Sequence, residues 1–188
     1  MKHIIHIFGA SGSGTSTLGQ YISSQLGYRW MDSDDYFWMP TNPRFTVKRP
    51  LSERLQLMRQ DIDQSDHVVI SGSLADWGNE LIPCFTLAIR LVTDTKERIR
   101  RIREREYKRF GDRIKPGGDM YEQHEAFVRW ASEYDDGDLS IRSRKSHDEW
   151  QKKLHCRLLI LNGQESPEEN LKQILDACQK VETNRNLP

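Results

Sequence analysis

The sequence predicts an α/β domain in which helices cover both faces of a parallel sheet. Short, nearly continuous apolar runs alternate with longer segments of helical periodicity along the 188 residues. Strands buried on both faces have this continuous apolar character, whereas half-exposed strands alternate. A chain of this length accommodates one sizeable core, so we expect a single domain over residues 1–181 and a polar tail over 182–188.

Five apolar runs are the predicted strands: residues 4–8, 28–31, 67–71, 85–92 and 157–161. Three helices between and after them carry apolar stripes that predict buried faces: Leu18, Ile22 and Leu26; Leu51, Leu55, Met58 and Ile62; Leu171, Ile174, Leu175 and Cys178. Arg54 and Arg59 lie off the second stripe. Residues 36–45, rich in aromatic side chains and proline, are predicted to form an irregular loop. Residues 110–146, rich in glycine and charge, are predicted to form an inserted lid.

The first strand runs into a loop of glycines and small residues that predicts a phosphate-binding site. Its members are Gly9, Ala10, Ser11, Gly12, Ser13, Gly14, Thr15, Ser16 and Thr17. Residues without bulk let successive backbone N–H groups converge on an anion, and the following helix adds unpaired donors and the positive end of its dipole. The spacing of Gly9, Gly14 and Ser16 matches the Walker A pattern G-x-x-x-x-G-K-[ST]. It predicts a nucleotide, with Ser16 as a ligand of Mg²⁺.

The lysine of that pattern is replaced by Thr15. One charge-assisted contact to the β- and γ-phosphates is worth roughly 1.5–3 kcal/mol, or about tenfold to a hundredfold in binding or rate. The sequence therefore predicts either a substitute cation from elsewhere or slow transfer.

Two alternatives compete with this interpretation. Gly9 and Gly12, with Asp32 or Asp34 about twenty residues on, also fit a dinucleotide-binding turn, although the third glycine of that fingerprint falls on Thr17. A glycine-rich turn that binds nothing is the other alternative. The three glycines between a buried strand and a helix favour the phosphate loop over both.

Carboxylates follow the second predicted strand. Ligands of parallel α/β sheets bind at the carboxyl ends of the strands, where Asp32 and Asp34 are expected to lie. We predict that Asp32 assists in holding Mg²⁺ and that Asp34 orients or deprotonates an acceptor hydroxyl. Two aspartates that only stabilise a turn are the alternative.

A long basic helix follows the fourth predicted strand and carries Arg98, Arg101, Arg105 and Arg109 near one face. These arginines could be solvated surface, could bind nucleic acid, or could clamp phosphate charge. Interleaved Glu97, Glu104 and Glu106 weaken the nucleic-acid option. Because the planar guanidinium suits phosphate oxygens, we predict a clamp in which Arg101, Arg105 and Arg109 are catalytic.

The composition excludes several classes of protein. The chain has 28 Lys plus Arg and 28 Asp plus Glu, so its net charge does not indicate a nucleic-acid or membrane partner. No apolar run approaches the roughly 20 residues that span a bilayer, and the N-terminus lacks a signal-peptide core, which predicts a cytoplasmic protein. The three cysteines and six histidines have no metal-ligand spacing.

The order of these parts resembles the adenylate-kinase-like branch of the P-loop kinases, which includes nucleoside monophosphate kinases, shikimate kinase and uridine kinase. Residues 9–16 match their phosphate loop, Asp32-Ser33-Asp34 is similar to the D-x-D of shikimate kinase, and the arginines resemble those leading into the lid. The resemblance implies a five-stranded parallel sheet ordered 2-3-1-4-5, ATP with Mg²⁺, and Asn162-Gly163-Gln164 beside the adenine.

The resemblance also implies transfer of the γ-phosphoryl group to a small-molecule or nucleotide acceptor. No signature in the sequence identifies that acceptor or the oligomeric state. A nucleotide-binding regulatory protein with weak or no transfer is the alternative, because Thr15 breaks the motif.

Overall fold

The computed structural model describes residues 2–42 and 44–185. Its strands are β1 (Ile4–Gly9), β2 (Arg29–Asp32), β3 (Val68–Ser71), β4 (Leu87–Val92) and β5 (Arg157–Asn162). Its α-helices are α1 (Thr15–Leu26), α2 (Ser33–Phe37), α3 (Leu51–Asp63), α4 (Thr95–Phe110), α5 (Tyr121–Ser132), α6 (Arg144–Gln151) and α7 (Pro167–Arg185), and short 3-10 helices cover Asn79–Cys84 and Gly111–Ile114. None of the helices in these described ranges is long and apolar enough to cross a bilayer.

The five strands form one sheet in the order β2-β3-β1-β4-β5, and every neighbouring pair is parallel. The predicted fold class and strand order are therefore confirmed. β1 lies in the centre, and all six of its residues are buried. β2 and β5 form the two edges.

The side chains of β1 alternate between two cores on opposite faces of the sheet. Ile4 and Phe8 pack with apolar residues of α3 and with Trp150 of α6. Ile5 and Ile7 pack with apolar residues of α1 and α7 on the other face. This two-sided burial explains the continuous apolar run in the sequence, since both faces of the strand are covered.

The parallel arrangement brings the carboxyl ends of all five strands to one edge. The loop after β1, the aspartates after β2, Gly72 after β3, Thr93 after β4 and Gly163 after β5 follow these ends. Gly163 donates its N–H to the carbonyl of Val92, at 2.8 Å, which joins the ends of β5 and β4. The candidate site is built at this edge.

Helix α5 lies within the predicted lid and packs against α4. Ile102 of α4 is fully buried against Val128 and Ala131 of α5. The helix near residues 121–134 that the sequence predicted is therefore present, and a small apolar core of its own attaches it to α4.

Several local predictions were wrong. Residues 36–45 are not wholly irregular, because α2 includes Tyr36 and Phe37; its first turn is stabilised by Asp32, whose side chain accepts a hydrogen bond from the N–H of Asp34 at 3.0 Å. Helix α7 continues to Arg185, so the predicted polar tail begins within this helix. Helix α6 was not predicted, since it offers few apolar residues to a periodicity argument.

Two apolar stripes also differ from expectation. Leu51 is 51% exposed and Leu175 is 37% exposed, whereas Arg54, predicted to lie off the stripe of α3, is buried. Arg54 is buried because its guanidinium stacks on the ring of Phe37, with 3.8 Å between Cζ and the ring centroid. The side chain of Cys178 lies outside the described part of the chain.

Candidate functional site

The loop between β1 and α1 has the backbone conformation of an anion cradle. Gly12 and Gly14 have φ angles of 80° and 102°, a left-handed conformation that glycine adopts without a steric penalty. A Cβ atom on Gly12 would lie 2.6 Å from the carbonyl oxygen of Arg98, so a larger residue does not fit there. The loop is also closed internally, because the N–H of Ser13 donates to the carbonyl of Ala10 at 3.1 Å.

Helix α1 begins directly at this loop without a side-chain cap. Gly14 occupies the N-cap position, and no acidic residue lies in the first turn. The first N–H groups of a helix have no intrahelical acceptor, so those of Thr15, Ser16 and Thr17 are oriented toward the loop with the positive end of the helix dipole. The nine residues that the sequence predicted as nucleotide-binding are thus continuous in one cradle and the first turn that follows it.

Ser16 and Asp32 lie side by side next to this cradle. The Ser16 hydroxyl donates to Oδ2 of Asp32 at 2.8 Å, while Oδ1 of Asp32 accepts the N–H of Asp34. The carboxylate is therefore held from both sides. Hard oxygen ligands from one hydroxyl and one carboxylate, completed by phosphate oxygens and water, are the donor set that Mg²⁺ prefers, so these residues fit that ion.

Asp34 projects from the first turn of α2, where its charge is partly suppressed. Its side chain is accessible to water, yet the surrounding protein and the neighbouring charge of Asp32 raise the pKa of the carboxyl above its usual range. Arg142 and Arg105 act in the opposite direction. Asp34 thus has a raised proton affinity and two cations nearby, a combination that suits a group that takes a proton.

The predicted arginine row on α4 divides into two kinds of residue. Arg98 is 1% exposed and donates to the carbonyls of Thr93 and Ala131 and to the carboxylate of Asp135. Arg101 donates to the carbonyl of Gly163 at 2.9 Å and, at the longer distance of 3.5 Å, to that of Ser13. These two side chains therefore brace protein backbone.

Arg105 and Arg109 lie farther along α4 and are more exposed. Both form ion pairs with Glu106, at 3.5 and 3.7 Å, and their side chains are 43% and 45% exposed. Arg109 also lies 6.0 Å from the ring centroid of Phe45, which attaches this end of α4 to the aromatic loop. The structure brings Arg105 close enough to Asp34 for its charge to be felt there.

Two arginines that were not predicted as site residues lie beside α2 and the loop after β3. Arg54 lies against Phe37 and Trp77, and the charges of Asp34 and Asp76 act on Arg142. Among the described residues, neither Arg54 nor Arg142 forms an ion pair, and burial lowers the pKa of both guanidinium groups. The charges of Asp34 and Asp76 partly compensate Arg142. Desolvating a cation without a close carboxylate is costly, so both side chains are suited to receive an anion.

The loop after β3 turns sharply beside these arginines. Asp76 has a φ of 71°, a left-handed conformation that aspartate adopts more readily than most residues. The indole N–H of Trp77 donates to the carbonyl of Ser73 at 3.1 Å, and the Trp77 ring lies 5.6 Å from Cζ of Arg54. Sequence periodicity gives no signal for this arrangement.

Comparisons with known proteins place this geometry in context. Residues 5–127 match the model of the AAA domain family. The uncharacterized protein YqaC of Bacillus subtilis (strain 168) is 38% identical over 176 residues, which are 94% of this chain and 97% of YqaC.

Solved structures of kinases share the fold at low sequence identity. The shikimate kinase from Acinetobacter baumannii in complex with shikimate has a TM-score of 0.57 at 15% identity, covering 100% of this chain and 97% of its own. The deoxyadenosine kinase from M. mycoides with bound dATP has a TM-score of 0.57 at 14% identity, covering 94% and 99%. A gluconokinase from Sinorhizobium meliloti 1021 has a TM-score of 0.54 at 15% identity, covering 97% and 94%.

These findings favour the P-loop interpretation over the dinucleotide-binding turn, and they confirm the resemblance on which the fold was expected. The chain belongs to the AAA domain family, as a P-loop protein with the fold of the adenylate-kinase-like kinases.

Proposed function

We propose that this protein is a phosphotransferase that moves the γ-phosphoryl group of ATP to a small hydroxylated acceptor carrying an anionic group. The observation that carries the proposal is Arg142, whose charge acts on Asp34 and which forms no ion pair among the described residues. Arg54, which is buried and stacks on Phe37 of the same helix as Asp34, also has no carboxylate partner in that part of the chain. Kinase structures share the fold, but the proposed class of acceptor follows from the charged residues of this chain.

In this proposal the cradle of residues 9–17 holds the triphosphate through backbone N–H groups. Ser16 and Asp32 would hold Mg²⁺, which when bound would supply positive charge beside the phosphates. Because Asp32 is fixed by Ser16 and by the N–H of Asp34, it is oriented before any ligand arrives. Preorganised groups lose little entropy when the ligand binds.

Asp34 is proposed to orient the acceptor hydroxyl and to take its proton. Its raised pKa brings the carboxyl nearer to neutrality than an ordinary aspartate, which favours proton acceptance as the hydroxyl attacks phosphorus. Arg142 lies close enough for its charge to act on Asp34, so an anionic group bound by Arg142 brings its own hydroxyl near that carboxylate.

The charge missing at Thr15 is proposed to come from α4. The guanidinium of Arg101 lies beside the cradle, with Nη1 3.5 Å from the position of a Cβ on Gly14. Arg105 and Arg109 are proposed to join it when the lid, residues 110–146, closes over the phosphates. Cations near the γ-phosphoryl group stabilise the charge that spreads there during transfer.

Nucleotide binding is tested first by thermal denaturation with ATP·Mg²⁺ and with NAD(P). We expect stabilisation by ATP·Mg²⁺ alone. Gly14→Ala strains the cradle and should abolish the shift, whereas Gly27→Ala places the same strain at the other end of α1, where no atom lies within 4 Å of the new Cβ. Equal effects of the two variants would contradict the cradle.

Transfer is then tested by ATP consumption against hydroxy acids, sugar phosphates, nucleosides and nucleotides. We expect acceptors with both a hydroxyl and an anionic group to be used, and Arg142→Met to raise their KM more than that of ATP. Use of neutral acceptors alone would contradict the proposed anion site.

A nucleotide-binding regulatory protein without efficient transfer is the second candidate. Thr15 in place of lysine favours this candidate. So do the ion pairs of Arg105 and Arg109 with Glu106, because they neutralise charges that transfer would need. Tight ATP binding without transfer to any member of the acceptor panel would support this candidate over the first.

A further inference from the structure

A buried histidine joins the two segments that carry the acceptor-side charges. His147, on α6, is completely buried, and both of its ring nitrogens have hydrogen-bond partners. Nε2 lies 3.0 Å from the hydroxyl of Ser73, in the loop after β3. Nδ1 lies 2.8 Å from the hydroxyl of Tyr134, in the segment after α5.

The Ser73 side of this link leads to the turn at Asp76 in the loop after β3. The Ser73 hydroxyl also accepts the N–H of Ala75 at 3.3 Å, and its carbonyl accepts the indole N–H of Trp77. Asp76 lies between these two residues with its positive φ. A shift of Ser73 therefore moves the backbone that carries Asp76.

The α6 side of the link leads to Arg142. Arg142 immediately precedes Ser143, whose side chain caps α6 in a reciprocal capping box with Ser146. The N–H of His147 donates to the carbonyl of Ser143 at 3.1 Å, so the histidine ring is rigidly connected to the residue beside Arg142. Arg142 faces the carboxylates of Asp34 and Asp76.

The ring is confined to its neutral form, which matches the partners it has. Burial, helped by the charges of Arg142 and Arg90 and by His6, lowers the pKa of His147 to about 3. A neutral imidazole donates from one nitrogen and accepts at the other, and both hydroxyls can take either role. The link is thus fully satisfied without a charge.

We propose that His147 is a positioning residue for acceptor binding. Through its hydrogen bonds to Ser73 and Tyr134 it fixes the position of Arg142 relative to Asp76 in the loop after β3. The proposal rests on the acceptor site proposed above. The competing explanation is core packing alone, since the His147 ring also meets Phe8 edge-to-face, with centroids 5.4 Å apart.

His147→Phe separates these explanations because it keeps an aromatic ring against Phe8 but removes both hydrogen bonds. His147→Gln and His147→Asn are the partial rescues, since an amide can replace Nε2 toward Ser73 or Nδ1 toward Tyr134. His124→Phe is the matched control, because His124 is another buried histidine whose Nδ1 has no partner among the described residues. Ser73→Ala and Tyr134→Phe are milder substitutions that each remove one bond, should His147→Phe fold poorly.

The probe is inorganic phosphate, titrated into protein saturated with ADP·Mg²⁺ and followed by the indole ¹H–¹⁵N resonances of Trp77 and Trp130. These rings report the site because Trp77 binds the Ser73 carbonyl and Arg142 lies 5.5 Å from the Trp130 ring. We expect saturable binding to the wild type, a loss of about tenfold or more in His147→Phe, an intermediate loss in His147→Gln or His147→Asn, and a change below about twofold in His124→Phe. ADP·Mg²⁺ affinity should stay within about twofold in all variants.

The outcomes distinguish this proposal from the proposed function. Unchanged phosphate affinity and an unshifted Trp77 resonance in His147→Phe, with nucleotide binding intact, would overturn the positioning role alone. No saturable phosphate binding to the wild type would overturn it as well, because Arg142 would then have no anion to receive. Failure of the protein to bind ATP or ADP would instead refute the proposed function.

Discussion

The two ends of α4 carry arginines at similar spacing that do different things. At the N-terminal end, Arg98 and Arg101 bind backbone carbonyls of the core and of the loops around the cradle. At the C-terminal end, Arg105 and Arg109 are half exposed and share one glutamate. Helical spacing therefore predicts that arginines share a face, but it does not predict whether their charges are available to a ligand.

The difference has a physical cause in what lies opposite each end. The N-terminal turns of α4 face the ends of β4 and β5, where carbonyl groups need donors. The C-terminal turns lead into the lid region, and there Arg105 and Arg109 pair with Glu106. We expect substitution of Arg98 to change stability and substitution of Arg105 or Arg109 to change chemistry, whereas Arg101, which also lies beside the cradle, is expected to affect both.

The largest effect is expected at Asp34, the carboxylate that the exposed end of α4 faces through Arg105. Asp34→Asn removes the proposed proton acceptor and should lower kcat by about 10²–10⁴-fold with little change in ATP affinity. Steady-state kinetics with an acceptor from the panel measure it. Asp35→Asn is the control, because the ion partner of that neighbour among the described residues is Arg44 at the surface. An equal loss in that variant would indicate that Asp34 only stabilises the turn.

Arg98→Met should cost about 3 kcal/mol of unfolding free energy, because it removes a donor from the carbonyls of Thr93 and Ala131 and the buried partner of Asp135, which keeps its ion pair with Arg144. Urea denaturation measures this. Arg103→Met, on the same helix, breaks only a surface pair with Glu125 and should cost less than about 1 kcal/mol. Similar costs for the two variants would mean that the buried contacts of Arg98 do not stabilise the fold more than a surface ion pair does.

Thr15→Lys should strengthen ATP binding by about tenfold or more, since it restores a charge-assisted contact worth roughly 1.5–3 kcal/mol. Calorimetric titration of ATP·Mg²⁺ measures the change. Gln20→Lys adds the same charge to an exposed position of α1 and controls for net charge. No gain over that control would contradict the alignment of the loop with the Walker A pattern.

A pH titration of stability compares a buried histidine with the ion pairs at the N-terminal end of α4. The histidine should make the protein less stable in mild acid, whereas those ion pairs should stay intact. Burial lowers the pKa of His6 to about 4, below its ordinary 6.5. The unfolded chain therefore binds a proton at His6 before the folded protein does, so the folded state is at its most stable above pH 6.5 and loses stability as the pH falls toward 4. His6 alone should cost about 2 kcal/mol between pH 7.5 and 5. Glu97, which pairs with Arg101, has a pKa lowered to about 2 and stays charged in that window.

His6→Phe should therefore flatten the acid dependence of stability, whatever it does to stability at pH 7.5. Denaturation at pH 7.5 and 5 provides the comparison. If the acid loss of the variant equals that of the wild type, His6 is not held neutral.

The smallest effect is expected from Arg105→Ala. Its exposed pair with Glu106 is worth less than about 0.5 kcal/mol, so stability should not change measurably. Turnover should fall severalfold, and by less in a Thr15→Lys background, because two cations that act on the same charge are not additive. Unchanged turnover in the wild-type background would remove Arg105 from the clamp.

Much of the scaffold could be predicted because it depends on local signals. The glycines of the cradle and the apolar run of β1 each follow from one short stretch of sequence. Arg54 and Arg142 could not be predicted, because whether an arginine lacks a partner depends on residues distant in the chain. Leu51 and Arg54 show the same limit, since a stacking contact with Phe37 overrides the apolar period of α3.

The central position of β1 has a consequence for how the chain folds during synthesis. Ile4 pairs with Val68 of β3 on one side, and its N–H binds the Thr86 hydroxyl, 82 positions away, on the other. Contacts so far apart in sequence form slowly, because a long loop must close first. The strand that emerges first from the ribosome therefore waits longest for its neighbours, and nascent chains that end before β4 should expose its apolar side chains to chaperones.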